Sequence, residues 1–230
     1  MHTIITVNHG TPKFIELCVK AVRLRTQKPY RHVVIDNGSK RPIIQMLKQF
    51  QQDGWIQLIE QKNRKSATSH AKALDWFMTN SREQNLIFMD SDAYPVVEGW
   101  LGKIMNNSQA AIIGPAHFRD ESIVHVSTMI FERNTWSSSG SPSFRINNRR
   151  KIFIDTGMQF CYDAREKGFK IGAFPQEQFG KWVAHRWCGT RIESLPKGKS
   201  LDGVYTQEQC DRATQAFLGS PSAVEVFKAF

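Results

Sequence analysis

Apolar runs too short to be helices alternate with stretches of helical periodicity along the first part of the chain. His2 to Val7 is an apolar, β-branched run that reads as a strand and ends at Asn8-His9-Gly10-Thr11-Pro12. Thr11 is placed to cap a helix that begins at Pro12, a position where the missing N–H is not needed. Phe14, Leu17, Cys18, Ala21, Val22 and Leu24 then recur at helical spacing to about Arg25. A second strand, Arg31 to Ile35, runs into Asp36-Asn37-Gly38-Ser39, and a helix with Ile43, Ile44, Leu47 and Phe50 on its apolar face follows. Trp55 to Ile59 reads as a third strand. A helix starting at Ser66 or Thr68 carries Ala71, Leu74 and Phe77 to a fourth strand, Leu86-Ile87-Phe88, which ends in Asp90-Ser91-Asp92. Strands alternating with helices of this length predict a three-layer α/β/α fold with a mainly parallel central sheet.

Beyond Asp92 the pattern loosens. Val97 to Met105 reads as a short helix, Ala110 to Ile113 as a short strand, and Ser122 to Phe131 as one longer strand region. Asn134 to Lys151 contains Ser137-Ser138-Ser139-Gly140-Ser141-Pro142-Ser143 and is expected to be a mobile segment. A helix from Asp155 to Lys167, closed by Gly168, a strand from Phe169 to Ala173 and a helix from Gln207 to Leu218 complete the reading. The expected organisation is one domain over residues 1–191 with a partly helical extension over residues 192–230, and the chain has no internal repeat.

Charge adds one constraint. The net charge of +10 favours an anionic partner, but the basic residues are scattered, with the tightest groups at Lys62-Asn63-Arg64-Lys65 and Arg149-Arg150-Lys151. No recognition-helix, RRM-like or zinc pattern is present, so specific nucleic-acid binding is not expected. Cys18, Cys161, Cys188 and Cys210 have no CxxC spacing and read as reduced structural thiols. Neither a basic leader nor a long apolar run opens the chain. A cytoplasmic protein, with peripheral membrane contact left open, is the expectation.

The candidate chemistry sits at strand ends. A carboxylate is costly to bury unpaired, so Asp90 and Asp92 belong at the mouth of their strand, where open α/β sheets bind ligands. Two acids one residue apart can hold a hard divalent cation that also carries phosphate oxygens, although a bare Asp-x-Asp also occurs as a solvated turn. Asp36 can accept a hydrogen bond from a base N–H, or it can close an Asx-turn in Asp-Asn-Gly-Ser. Thr6 and Asn8 read as turn and cap residues, Asp155 as a helix cap, and His185, between Ala184 and Arg186, as a packed or surface histidine.

With Ile5-Thr6-Val7-Asn8, Val34-Ile35-Asp36-Asn37-Gly38-Ser39 and Phe88-Met89-Asp90-Ser91-Asp92 in this order on successive strand ends, the sequence resembles the family 2 type glycosyltransferases with a GT-A fold, over roughly residues 3 to 190. The resemblance implies transfer of a sugar from a nucleotide-diphospho-sugar donor, with UDP expected, to a carbohydrate or other acceptor hydroxyl, with inversion. It also implies that Thr6, Asn8 and Asp36 grip the nucleoside, that Asp90 binds ribose, and that Asp90, Asp92 and His185 hold Mn2+ or Mg2+. Asp155, in Ile154-Asp155-Thr156-Gly157, takes the place of the general base. Asn63 and Lys65 occupy the place of an Asn-x-Gly contact to the nucleotide, with Lys65 where glycine is usual and His70 where arginine is usual. His117, Arg119 and Asp120 fall near the donor sugar. Trp100, Trp136, Trp182 and Trp187 are open to sugar stacking or to packing, with Trp136, beside the Ser-rich loop, placed as an acceptor or lid contact. Two other readings compete: a GT-A domain that binds nucleotide sugar without turnover, and a basic nucleic-acid-binding protein. A nucleotidyltransferase needs a Gly-rich basic loop after the first strand, which His9-Gly10-Thr11-Pro12 does not provide.

Overall fold

In the computed structural model, which describes residues 1–27, 29–61, 67–145, 155–186 and 207–230, β1 (His2–Asn8), β2 (Tyr30–Asp36), β3 (Gln57–Glu60) and β4 (Asn85–Met89) lie parallel in the order β3-β2-β1-β4. They are joined by α1 (Pro12–Arg25), α2 (Arg41–Gln52) and α3 (Ala67–Asn80). Successive side chains of a strand point to opposite faces, and the core sorts accordingly. Ile5, Val7, Val33, Ile35 and Phe88 pack with Ala71, Leu74 and Phe77 of α3 on one face. On the other face Ile4 and Ile87 meet Cys18 and Val22 of α1, while Val34 meets Ile15, Val19 and Leu47. A sheet covered on both faces requires near-continuous apolar strands such as Val33-Val34-Ile35. Asn8 pairs in register with Asp36, and Ile5 with Phe88, so β1, β2 and β4 end on one edge of the sheet.

The second half is less regular. It comprises β5 (Ala93–Pro95), α4 (Trp100–Asn106), β6 (Ile112–His117), β7 (Asp120–Val124), β8 (Thr128–Glu132), α5 (Arg133–Ser138), α6 (Met158–Glu166), β9 (Ile171–Phe174), α7 (Gln176–Phe179) and β10 (Val183–His185). The sheet continues β4-β8-β6-β7, with β8 antiparallel to β4 and β6, and β9 parallel to β6. The strand expected from Ser122 to Phe131 is two strands. The chain turns between them, where the Ser127 N–H donates to His125 Nδ1 at 3.1 Å. Gly114 lets β8 approach: a Cβ there would lie 2.2 Å from the Thr128 carbonyl oxygen.

The Ser-rich segment expected to be mobile begins instead as α5 and continues as a strapped turn. Trp136 Nε1 donates to the Pro142 carbonyl at 2.9 Å. Asp75 accepts from Ser143 Oγ at 2.7 Å and from the Phe144 N–H at 2.8 Å, which seats the Phe144 ring in the core. Residues 146–150, with the Arg149-Arg150 pair, lie outside the described residues, as do Lys151, Asn63, Lys65, Trp187, Cys188 and the expected boundary after residue 191. Of the candidate tryptophans, Trp100, Trp136 and Trp182 are described and serve packing. Trp100 is fully buried with Nε1 on Thr26 Oγ1, Trp182 meets Phe174 and Phe179 edge-on, and Trp136 packs against the main core.

Two C-terminal helices follow, α8 (Gln207–Leu218), as the sequence predicts, and α9 (Pro221–Lys228), which starts at Pro221 with Ser220 Oγ accepting from the Ala223 N–H. Ala223 and Val226 of α9 cover Leu17 and Ala21 of α1 together with Tyr94. The almost fully buried Arg25 ties α1 to α9 through Glu225 at 2.7 Å and the Ser222 carbonyl at 3.1 Å. Among the described residues no helix is long and apolar enough to cross a membrane.

Candidate active site

The end of β4 turns sharply. The Asp90 N–H donates to the Ser127 carbonyl at 2.9 Å, and the Ala93 N–H returns to the Asp90 carbonyl at 3.0 Å. The turn presents Asp90 and Asp92 at the sheet edge, the Asp92 side chain almost buried and that of Asp90 about one-fifth exposed. Opposite them stands His185. Strands β5 and β10 form a separate two-stranded antiparallel sheet in which His185 pairs with Ala93, and the Arg186 N–H donates to the Asp92 carbonyl at 2.9 Å. His185 Nε2 is thereby held 3.1 Å from Asp92 Oδ1 and 3.6 Å from Asp90 Oδ2.

One donor atom from each of the three residues lies within 4.8 Å of the others. Metal–ligand distances of about 2.1 Å put neighbouring ligands of an octahedral ion about 3 Å apart, so the group fits a small divalent cation with little rearrangement. Its electrostatics point the same way. Burial, with Asp92 and Asp155 nearby, pushes the Asp90 carboxyl above its ordinary range despite the opposing pull of His70 and His185. Burial works against protonation of His185, but Asp92 and Asp90 outweigh it and raise its pKa. The Asp90 carboxylate is thus held toward its protonated form, which a divalent cation would reverse.

The nucleoside-side candidates form a different kind of cluster. Asp36 is buried, yet Oδ1 accepts from Asn8 Nδ2 at 2.9 Å and Oδ2 accepts from the N–H groups of Gly38 and Ser39 at 3.1 and 2.9 Å. The Asx-turn is therefore present. Thr11 sits at the N-cap position of α1, but its hydroxyl donates to Asn8 Oδ1 at 2.8 Å instead of accepting from the helix, and it lies 3.3 Å from Ser91 Oγ. These contacts tie the ends of β2, β1, α1 and β4 together. Thr6 is not brought to this edge: it is buried within β1, its hydroxyl 3.0 Å from His32 Nε2. Asn37 is 1% exposed, and neither atom of its side-chain amide has a hydrogen-bond partner among the described residues.

Asp155 is not the cap of α6. The helix starts at Met158 after Gly157, whose φ of 81° suits glycine and whose missing Cβ would press on Met129 and Val126 at 3.2 and 3.3 Å. Freed from capping, Asp155 accepts from the Thr156 N–H at 2.7 Å through Oδ1 and turns Oδ2 toward His117 Nε2 at 3.9 Å. Burial acts to raise its pKa, but the His117 ring, the Thr156 N–H and His125 outweigh it and hold the carboxyl below its ordinary range. Asp155 is thus an ionised, partly exposed carboxylate, as a general base must be. It also lies close enough to raise the pKa of Asp90.

Three histidines complete the site. His70, on α3, reaches Asp90 Oδ1 at 3.5 Å. The rings of His117 and His125 are 5.2 Å apart between centroids, and those of His125 and His185 are 5.8 Å apart. The sequence offers His117 only as a residue shortly after Gly114-Pro115 and offers no signal for His125. Arg119 and Asp120 flank the same turn, where Asp120 accepts from Ser122 and Tyr162.

Against known proteins, a family model described as Glycosyl transferase family 2 matches residues 3–164. Among solved structures, TarS of S. aureus superposes with a TM-score of 0.57 at 10% identity, covering 94% of this chain and 42% of TarS. The chain thus spans less than half of that protein. Residues 1–349 of TarS in complex with UDP-GlcNAc superpose with a TM-score of 0.55 at 10% identity, covering 94% of this chain and 71% of that one. The mannosyltransferase PcManGT from Pyrobaculum calidifontis, in complex with GDP-Man and Mn2+, gives a TM-score of 0.56 at 14% identity, covering 99% of this chain and 74% of its own. At these identities the likeness shows the fold. No curated protein sequence matches the chain.

Proposed function

The chain belongs to glycosyl transferase family 2, and on that premise we propose that it transfers a sugar from a nucleoside-diphosphate donor to an acceptor hydroxyl in a divalent-cation-dependent, inverting reaction. One observation carries the reading: His185, remote in sequence, converges with Asp90 and Asp92 within 4.8 Å at the mouth of the central sheet. Asp90 and Asp92 would hold the cation with His185, and the imidazole favours Mn2+ over Mg2+. A bound cation supplies Lewis-acid neutralisation of the diphosphate as it leaves. The nucleoside would lie toward the ends of β1 and β2. There Asp36 holds the Gly38-Ser39 loop and retains acceptor capacity, and the buried, unpartnered amide of Asn37 offers a donor and an acceptor.

Asp155 would take the proton of the attacking hydroxyl. Its depressed pKa keeps it ionised at neutral pH, and its partial exposure leaves room for an acceptor. Attack from the face opposite the leaving diphosphate inverts the anomeric centre. UDP is the expected nucleotide. The test is a thermal-shift panel of UDP, GDP, UDP-GlcNAc and GDP-Man with and without Mn2+, because a ligand specific for the folded state raises its stability by mass action. A Mn2+-dependent rise with at least one nucleotide is expected. No such rise with any member would overturn the reading.

A further inference from the structure

β6 ends in His117, a residue that neither the metal cluster nor the nucleoside end requires. Its ring is fully buried, and Nδ1 accepts from the Arg119 N–H at 3.1 Å. A ring nitrogen that accepts carries no proton, so neutral His117 must bear its hydrogen on Nε2. Nε2 is itself buried and makes no hydrogen bond among the described residues, and the group it faces is Asp155 Oδ2, 3.9 Å away. Phe118 stacks on the ring at 4.6 Å between centroids and shields it from water. His125, on the other side, is pinned in the same way, with the Ser127 N–H on its Nδ1 at 3.1 Å. The same turn thus imposes the same tautomer twice, with His117 placed next to Asp155.

We propose that His117 is the positioning residue of the general base: its Nε2–H fixes Asp155 Oδ2 while the Thr156 N–H fixes Oδ1, so that one carboxylate lone pair is aimed at the acceptor hydroxyl. The proposal rests on the assignment of Asp155 as base. The present separation of 3.9 Å is longer than a hydrogen bond, and a side-chain shift of about 1 Å closes it, as catalytic contacts do on binding substrate. His117 itself touches neither donor nor acceptor and moves no proton. Its effect is on the orientation of Asp155, and misplacement of a reacting group on this scale costs about tenfold to a hundredfold in rate.

Two measurements test this on the full chain. Long-range proton–nitrogen spectra of 15N-histidine-labelled protein, with His117 assigned by its absence in His117→Gln, should show the Nε2–H tautomer, and its ring shifts should move in Asp155→Asn. Turnover is then read as nucleoside diphosphate release from the nucleotide sugar, UDP-GlcNAc or GDP-Man, that stabilises the protein with Mn2+. His117→Phe keeps the packing and removes the donor, and should lower kcat by about tenfold to a hundredfold with the donor KM unchanged. His117→Gln, which keeps an N–H near the same place, should recover most of the loss. An Nδ1–H tautomer, or equal rates for the two variants, overturns the proposal. If no nucleotide sugar turns over in the wild type, the transferase reading has failed, and the tautomer and its response to Asp155→Asn still decide the pairing.

Discussion

Asp36 and Asp90 stand at the ends of neighbouring parts of one sheet, and their surroundings are opposite. The Asp36 carboxylate is buried but accepts from Asn8, Gly38 and Ser39, so its charge is spread over three donors. The Asp90 carboxylate faces Asp92, with His70 and His185 at 3.5 and 3.6 Å as its cationic neighbours among the described residues, and burial pushes its pKa up. A satisfied acid holds the shape of a binding edge, whereas a carboxylate pushed toward protonation by burial and a neighbouring acid gains most from a cation. Stability and activity should therefore respond in opposite ways to mutation at the two places.

The largest expected effect is at the Asp90–Asp92 end. Asp92→Ala removes one of the three converging ligands and should lower nucleotide-sugar turnover by more than about a hundredfold, while the thermal midpoint falls little, because relief of the repulsion with Asp90 offsets the lost His185 contact at 3.1 Å. A midpoint loss as large as the activity loss would erase the contrast. Asp155→Asn should lower kcat by about a hundredfold or more, with folding intact by circular dichroism. At the satisfied end, Asp36→Ala leaves one Asn8 amide N–H and the backbone N–H groups of Gly38 and Ser39 without their acceptor and should cost about 3 kcal/mol in denaturant unfolding. Equal stability losses in Asp36→Ala and Asp92→Ala would show that the two acids do the same work.

Cation affinity should depend on pH in a direction that follows from the shifts. Asp90 and His185 both have raised pKa values, so protons compete with the cation to a higher pH than free side chains would allow. Mn2+ affinity, followed by titration calorimetry, should climb as pH rises through those values, by about tenfold per pH unit for each proton released. An affinity flat between acid and neutral pH would place the ion elsewhere. The smallest effect belongs to the bridge between the two ends. Thr11→Val removes the hydroxyl that joins Asn8 to the Ser91 side and should cost about 1 kcal/mol of stability, with turnover changed by less than about threefold.

Much of the first half was legible because its signals are local. The run Val33-Val34-Ile35, the spacing of Leu17, Ala21 and Leu24, and acids placed directly after strands depend on residues a few positions apart, and the parallel order of β1 to β4 follows from strand–helix alternation. The second half resisted reading. β5 and β10 are three-residue strands with no periodicity to detect. The strand region from Ser122 to Phe131 gave no sign of its break, since Val124-His125-Val126-Ser127 alternates apolar and polar residues as a half-buried strand does, and the turn is made by a ring nitrogen and a backbone N–H. Asp155 looked like a cap because acids commonly start helices, but Gly157 takes the chain into α6 and releases it.

The amino-acid sequence by itself determined the layered sheet, the helices that cover it, and the presence of Asp36, Asp90 and Asp92 at strand ends, because period-two and helical patterns are set by the geometry of a single segment. Only the tertiary structure decided that His185 meets Asp92, that Asp155 turns toward His117, and that Thr6 is sealed inside the sheet. Those outcomes depend on which distant strands pair and in what register. A shift of one residue in β10 would point His185 away from both acids.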